Sequence, residues 1–420
     1  MGTAITIWRG SPRTLWAIGD QGVVSLGNFL VNVTLARWLP PHDYGVYALL
    51  FVVMVALNTV HGSLISYPLS VRGAKAAQSE MPHLLGTSLS LSCLLAVPLG
   101  CLIAATAVAI GCSRLSLWVT ASMVAWQLQE TCRRALISQL RPRAAIGGDL
   151  ISYLGQAVAI YYLLNAGVRS LHLIFAAMIA TSCVAALVQA LQVGLASPKG
   201  PLLSKYAFDY WLVGRFVLGG SLLTILGAQA FPFVLGYFHG AARVANFQAI
   251  AAVVAASHPV VLSVGTLIIM PATAKASLAG IGAARRVMFT HGLQGGLLLL
   301  PYFFILLIWP KSVLACIYGR QSPYLSLENL LRVYVLAYVM YYLSTVVTAY
   351  LAGLEYARAW LMVETVAATT AVCVGYPLTA RLGTSGAVAG VAVVCAVRLA
   401  MAAAISHTVY TTRLAHAQQS

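Results

Sequence analysis

The sequence carries very little charge: Asp, Glu, Lys and Arg together make up 8% of its 420 residues. A soluble domain has about 25% charged residues, so this composition cannot cover a water-facing surface. Hydrophobic residues make up 60% of the chain, and no polar stretch is long enough to form a soluble domain. The composition therefore excludes a soluble protein and indicates a chain that is embedded in a membrane.

Several signals of catalysis or cofactor binding are missing from the sequence. It has no C-x-x-C pair among its eight cysteines, no H-E-x-x-H, no D-x-D and no G-x-x-x-x-G-K-[ST] phosphate-binding loop. The acids total nine and are not paired at a catalytic spacing. We therefore expect no metal site, no cofactor and no enzyme activity, and no ATP hydrolysis by this chain alone.

What the sequence does contain is a series of long apolar runs separated by short polar breaks. Backbone groups in lipid must be hydrogen-bonded internally, so each run is expected to be a helix. At roughly 20 residues per span, the length allows about twelve spans. We predict spans at 14–38, 43–71, 83–111, 115–140, 145–167, 171–194, 210–238, 243–271, 285–310, 327–354, 357–380 and 384–408.

Positive charge is distributed unevenly between the loops on the two sides. Fifteen of the 25 Lys and Arg residues, Arg133 and Arg134 among them, fall in one set of loops, seven fall in the other, and three lie within spans. Cytoplasmic loops carry the excess of Lys and Arg. This asymmetry predicts cytoplasmic termini, and it explains the net charge of +16 without nucleic-acid binding.

The longest connection near the middle of the chain separates six spans from six. We expect an N-terminal six-helix bundle at 1–195, a cytoplasmic linker at 196–209 and a C-terminal six-helix bundle at 210–420. At a shift of 200 residues, 35–76 and 235–276 both run through a short break and end in Ala-Lys-Ala. The predicted fold is all-α and polytopic, with two pseudo-repeated bundles around a central cavity.

Polar side chains line one face of the first span. At about 100° per residue, Gln21, Ser25, Asn28 and Asn32 fall in one stripe, with Asp20 to one side. The stripe faces either a neighbouring helix, through interhelical hydrogen bonds, or a water-filled cavity. Both readings stay open, and similar stripes in other spans favour the cavity.

Basic residues occur within or beside several spans. In the fourth span Gln127, Glu130 and Arg134 share a face, and Glu130 and Arg134 are spaced to pair. Arg215 lies in the seventh span, where snorkelling is the alternative to a cavity position. Arg398 lies deep in the last span and is expected to pair with Glu364.

The tenth span carries a stripe of aromatic and hydroxyl side chains that includes Tyr338 and Tyr341. Aromatic rings stack on sugar rings, and hydroxyls hydrogen-bond to them. An interfacial aromatic belt is the alternative, although the stripe runs over three turns.

Two stretches resemble polysaccharide flippases. LARWLPPHDYGVYALLFVVMVALN resembles the way their second span opens, and ARLGTSGAVAGVAVV resembles their last span. The resemblance to these Wzx-like flippases implies the superfamily that also contains multidrug MATE pumps. It implies a MATE-like fold, alternating access and a polyprenyl-pyrophosphate-linked oligosaccharide substrate. It also implies a coupling role, with H⁺ or Na⁺, for Asp20.

The residues and the resemblance together give a functional expectation. The chain is expected to turn the repeat unit of an exopolysaccharide or O-antigen from the cytoplasmic to the periplasmic leaflet of a bacterial inner membrane. Other polysaccharide-assembly proteins are possible partners. The alternatives are a cation-coupled multidrug antiporter of the same fold and, with less support, a membrane polymerase or glycosyltransferase. The candidate substrate-binding residues are Arg134, Arg215, Gln21, Asn28, Asn32, Gln127, Tyr338 and Tyr341.

Overall fold

The computed structural model describes residues 12–197, 200–356 and 358–419, and within these ranges every regular element is a helix. All twelve predicted spans coincide with helical stretches. Eight stretches are long and apolar enough to cross a membrane, among them Pro41–Gly73, Met81–Ala109 and Arg358–Thr412. The prediction of an all-α, polytopic membrane protein is confirmed.

The described chain divides into two compact units. Unit 1 comprises residues 12–38 and 50–221, and unit 2 comprises 39–49 and 222–419. One helix near the start of each half therefore contributes residues to both units. The expected linker at 196–209 and the bundle limits on either side of it stay a prediction.

Unit 1 is built mainly from the first nine α-helices. Helix α2 begins in unit 2 and continues in unit 1, and α9 begins in unit 1 and ends in unit 2. The bounds are Pro12–Trp38 (α1), Pro41–His61 (α2), Tyr67–Gly73 (α3), Met81–Ala109 (α4), Ser116–Ser138 (α5), Pro142–Asp149 (α6), Gln156–Asn165 (α7), Leu171–Val193 (α8) and Gly200–Thr224 (α9).

Apolar and polar contacts both fix α9 within unit 1. Tyr210 is buried in a cluster that includes Leu69 of α3 and Leu85 of α4. Its hydroxyl hydrogen-bonds to Ser88 at 2.8 Å. Beside it, Arg72 Nε donates to Asp209 Oδ2 at 2.9 Å. Burial of the apolar cluster supplies most of the stability here, since a half-exposed ion pair contributes little.

Unit 2 contains nine further helices. They are Phe231–His239 (α10), Ala241–Ala255 (α11), His258–Leu262 (α12), Met270–Ser277 (α13), Ile281–Ile308 (α14), Pro310–Tyr318 (α15), Glu328–Gly353 (α16), Arg358–Thr370 (α17) and Tyr376–Gln419 (α18). Gly383 interrupts α18 with φ 61°, so the part before it continues the eleventh predicted span (357–380) and the part after it contains the twelfth (384–408).

Five π-helical segments interrupt the helices, at Gly62–Ser66, Leu150–Gly155, Ile225–Gln229, Ser263–Ile269 and Ala371–Gly375. Segments of this kind occur often at functional positions. Those at Gly62–Ser66 and Ser263–Ile269 begin about 200 residues apart. This spacing matches the shift of the repeat seen in the sequence.

Candidate functional site

Four charged side chains from three helices of unit 1 form a buried group, which we call the ion cluster: Asp20, Glu130, Arg133 and Asp149. Arg133 lies at its centre. Its Nη2 donates to Asp20 Oδ2 at 2.6 Å, and its Nε donates to Asp149 Oδ2 at 2.5 Å. Its Nη1 donates to Glu130 Oε2 at 3.2 Å. One guanidinium group thus contacts three carboxylates, and no side chain of the cluster is more than 9% exposed.

Helical spacing and one glycine bring these groups together. Glu130 and Arg133 are three residues apart on α5, so their side chains are neighbours on one face. Asp149 is the last residue of α6. Helix α1 approaches closely because Gly27 has no side chain: a Cβ there would lie 2.6 Å from Tyr153 Cβ. This close approach allows Asp20 on α1 to reach Arg133.

Two buried amides hold the carboxylate of Asp149. Gln129 Nε2 and Gln189 Nε2 donate to Asp149 Oδ1 at 3.0 and 3.1 Å. Gln189 Nε2 also lies 3.0 Å from the carbonyl oxygen of Ala145, to which it donates. A Cβ at Gly148 would lie 2.4 Å from this Gln189 nitrogen. Glycine at this position therefore leaves room for the amide that orients the cluster.

Arg134 links the ion cluster to accessible surface. Its Nε donates to Glu130 Oε1 at 2.5 Å, while its side chain is 41% exposed. Glu130 therefore has one buried arginine partner and one accessible arginine partner. The sequence prediction that Glu130 and Arg134 pair is confirmed.

The carboxylates outnumber the guanidinium groups in this region. Asp20, Glu130 and Asp149 face Arg133 and Arg134, which leaves one negative charge in excess if all three acids are ionised. Asp20 Oδ1 is buried and accepts no hydrogen bond from the described residues. The carboxylates of Asp20 and Asp149 accept hydrogen bonds from the same guanidinium group, that of Arg133, at 2.6 and 2.5 Å. A buried, unbalanced charge is costly, so the arrangement is suited to holding one proton.

A buried histidine lies next to the cluster. His61, at the end of α2, is fully buried, and its Nε2 lies 3.0 Å from Ser92 Oγ and 3.4 Å from Thr131 Oγ1. Thr131 follows Glu130 on α5, and His61 is close enough to interact electrostatically with Glu130. The polar region around Glu130 therefore extends from α5 to α2 and α4.

The polar stripe of α1 is only partly enclosed. Gln21 and Asn28 are half-buried, while Asn32 is buried and donates from Nδ2 to the Asn28 carbonyl oxygen at 2.9 Å. Asn28 lines a cavity of about 10 Å³ together with Ser122, Tyr153 and other side chains. Such a volume holds about one water molecule. Within unit 1, the stripe therefore contains a hydrogen-bonded residue, Asn32, and a residue that lines a small cavity, Asn28.

Among the described residues, the side chains of Gln127 and Arg215, on the fourth and seventh predicted spans, make none of the ion cluster's hydrogen bonds or ion pairs. Gln127 on α5 is buried, and neither polar atom of its amide has a hydrogen-bond partner within the described chain. Arg215 on α9 is exposed, and its guanidinium carbon lies 4.8 Å from the ring centre of Phe216.

In unit 2 the candidate tyrosines belong to an aromatic and charged group. Tyr338 hydroxyl lies 2.5 Å from His258 Nδ1, and the imidazole of His258 stacks on Tyr341 with centroids 5.9 Å apart. Arg398 lies 5.2 Å from the centre of the Tyr341 ring. Arg398 also pairs with Glu364 at 2.5 Å, as expected from the sequence.

Sequence reasoning missed two members of the ion cluster. It assigned Arg133 to a cytoplasmic loop, which is wrong: Arg133 lies within α5 and is buried. It passed over Asp149, which lies at the start of the fifth predicted span. The signal that could have identified Arg133 is its position three residues after Glu130, on a helix that also carries Gln129. The position of Asp149 opposite Arg133 depends on tertiary packing and has no local signal.

The fold is similar to that of several solved structures. An inward-facing multidrug resistance MATE family transporter of the MOP superfamily superimposes with a TM-score of 0.72 at 15% identity, over 97% of this chain and 96% of that one. A eukaryotic MATE transporter gives a TM-score of 0.68 at 13% identity over 94% of both chains. A MOP superfamily transporter from Pyrococcus furiosus gives 0.63 at 13% identity, over 96% of this chain and 97% of that one.

No protein-family model matches the sequence, and no curated protein matches it significantly. Identities this low establish the fold and leave the substrate open. The chain therefore has the fold of MATE transporters.

Proposed function

We propose that the chain is a flippase for a polyprenyl-pyrophosphate-linked oligosaccharide, the repeat unit of an exopolysaccharide or O-antigen. It moves the headgroup from the cytoplasmic to the periplasmic leaflet of a bacterial inner membrane by alternating access. Both termini are cytoplasmic in this proposal. The transporter fold of the similar structures supports a transport role.

The observation that carries the proposal is that the acids within the spans are buried beside arginines, whereas two of the arginines are accessible. The acids Asp20, Glu130, Asp149 and Glu364 are all buried, and each contacts an arginine. Arg134 and Arg215, in contrast, have exposed guanidinium groups. A charge exposed to hydrocarbon is expensive, so exposed arginines in spans favour an aqueous or anionic environment. Accessible positive charge suits a pyrophosphate.

The remaining candidate residues suit the sugar part of such a substrate. Gln21 and Asn28 are half-buried amides on α1, and Tyr338 and Tyr341 offer aromatic rings on α16. Amides donate and accept hydrogen bonds with sugar hydroxyls. Asn32 and Gln127 are buried amides on α1 and α5 of unit 1, and Asn32 donates to the Asn28 carbonyl oxygen.

Asp20 is the proposed coupling residue, and the ion cluster favours H⁺ over Na⁺. Most carboxylate oxygens in the cluster already accept N–H donors from Arg133, Arg134, Gln129 or Gln189. A hard cation requires several oxygen ligands at once, whereas a proton requires a single oxygen that accepts no other hydrogen bond. Among the described residues, Asp20 Oδ1 is such an oxygen.

The second candidate function is cation-coupled multidrug antiport. It is favoured by the similar structures, which include multidrug resistance MATE transporters. An organic cation requires accessible acids, and the acids within the spans are buried beside arginines. One similar protein, from Pyrococcus furiosus, is described as having a binding pocket of reverse polarity that suggests a different function. Binding-pocket charge is therefore the property to test.

The deciding experiment is deletion of the gene followed by measurement of which leaflet holds the lipid-linked intermediate. A membrane-impermeant reagent that oxidises sugars would label the intermediate from the periplasmic side. We expect labelling to fall in the deletion strain and to return on complementation. Normal labelling with increased drug sensitivity would support multidrug antiport and contradict the flippase proposal.

A further inference from the structure

Glu130 is shared between two arginines that differ in accessibility. Its Oε1 accepts from Arg134 Nε at 2.5 Å, and its Oε2 accepts from Arg133 Nη1 at 3.2 Å. Arg133 is buried and also bonded to Asp20 and Asp149. Arg134 is 41% exposed and has no other ion-pair partner among the described side chains. Arg134 is therefore the partner that an external anion can draw away.

A phosphate group competes directly with Glu130 for Arg134. Guanidinium groups bind phosphate through two parallel N–H donors, and a pyrophosphate carries more negative charge than a carboxylate. When Arg134 turns to such an anion, Glu130 keeps only the longer contact, to Arg133. That guanidinium already serves two other carboxylates. Binding at Arg134 therefore removes the stronger of the two contacts that stabilise ionised Glu130.

Within the part of the chain that the structure describes, no cation besides Arg133 contacts Glu130 to replace Arg134. On its own helix the charged neighbours are Arg133 and Arg134, and the groups that face it from other elements are His61, Tyr153, Asp20 and Asp149. His61 is fully buried, with its Nε2 beside Ser92 and Thr131. Even with one proton on the Asp20–Asp149 pair, the cluster without Arg134 has two ionised carboxylates and one guanidinium.

We infer that an anionic phosphate headgroup bound at Arg134 causes Glu130 to take up one proton from water. Glu130 is then a second proton site, distinct from Asp20, whose occupancy depends on substrate. The inference rests on the proposed function, since it takes the substrate to be a pyrophosphate. Coupling of this kind is reciprocal: uptake of the proton strengthens binding of the headgroup to the same degree.

Calorimetric titration of the full-length protein in lipid nanodiscs tests the linkage. The probe is geranyl pyrophosphate, titrated at about pH 8 because the second pKa of a phosphate ester is about 6. Repeating the titration in buffers with different ionisation enthalpies gives the number of protons taken up. We expect about one proton per bound probe, and affinity that rises about tenfold per pH unit on acidification in the linked range.

Two variants assign the proton to its residue. In Glu130→Gln the glutamine side chain cannot ionise, and Arg134 is free to bind the probe. We therefore expect this variant to bind the probe at least as tightly as the wild type and to take up no proton. Asp209→Asn alters an ion pair with Arg72 outside the ion cluster and is expected to retain uptake of about one proton per bound probe. Infrared difference spectra of the wild type on probe binding give a check that requires no variant. A new C=O stretch of a protonated carboxylic acid is expected.

The outcomes separate the inference from the function on which it rests. Probe binding to the wild type without proton uptake, or equal uptake in Glu130→Gln, would overturn the inference and leave the flippase proposal standing. Absence of probe binding in every form would count against both. Uptake in the wild type and in Asp209→Asn, lost in Glu130→Gln, supports the assignment.

Discussion

Arg133 Nη2 lies 2.6 Å from Asp20 Oδ2, and this buried contact joins the first helix of unit 1 to α5. Because the same guanidinium also reaches Glu130 and Asp149, its removal would leave Glu130 paired with Arg134 and would take from Asp20 and Asp149 the arginine that contacts them. The cluster thus has a structural part at Arg133 and an accessible part at Arg134. The two neighbouring arginines should respond to substitution in different ways.

We predict that Arg133→Ala destabilises the protein severely. Removing one partner of a buried ion pair costs about 3–5 kcal/mol, since the other charge stays buried without compensation. Thermal unfolding in detergent, followed by size-exclusion chromatography, measures the loss. Arg133→Lys keeps the positive charge but lacks the planar guanidinium group. Its unfolding temperature should lie between those of the wild type and Arg133→Ala. A stable, monodisperse Arg133→Ala protein would show that Arg133 does not hold the cluster together.

Two neighbouring glycines on α6, Gly147 and Gly148, allow a matched pair of alanine substitutions that tests the packing around the ion cluster. A Cβ at Gly148 would lie 2.4 Å from Gln189 Nε2, whereas a Cβ at Gly147 has no atom within 4 Å. We expect Gly147→Ala to stabilise the helix by about 0.5–1 kcal/mol and Gly148→Ala to destabilise the protein. Thermal unfolding midpoints compare them. Equal midpoints would mean that Gln189 moves aside at no cost.

The sequence predicted the helices well because their signal is local. Apolar runs of span length, with short polar breaks, placed all twelve spans on observed helices. Local pattern and composition were sufficient for this level of structure.

The ion cluster was only partly predictable, since it depends on contacts between distant residues. Glu130 and Arg134 were paired correctly from their spacing along one helix. Arg133 was assigned to a loop because a charge count gives no weight to burial. Its bond to Asp20 spans 113 positions in the chain. No local pattern encodes that bond.

Arg134→Ala and Arg215→Ala should each reduce polysaccharide export about tenfold or more while leaving protein levels intact. Loss of one guanidinium–phosphate contact of about 1.4 kcal/mol corresponds to a factor of ten in binding. Export is measured as surface polysaccharide in the complemented deletion strain. Arg320→Ala, at an exposed loop arginine, is the control and should export normally. Full export by both variants would remove these arginines from the proposed site.

Asp20→Asn should separate folding from ion coupling. The amide oxygen still accepts from Arg133 Nη2, and the cluster then holds two carboxylates and two guanidinium groups, so the variant is expected to fold. It has no proton to release, because an amide does not titrate in this range. In proteoliposomes, wild-type transport of a lipid-linked oligosaccharide should accelerate when a pH gradient is imposed, and the variant should accelerate less, because only Glu130 can still take up a proton. Asp43→Asn, at an acid paired only with the exposed His42, serves as the control and should keep the wild-type response. If Asp20→Asn responded to the gradient as strongly as the wild type, the coupling role would have to be assigned to another residue, and Glu130 would be the first to examine.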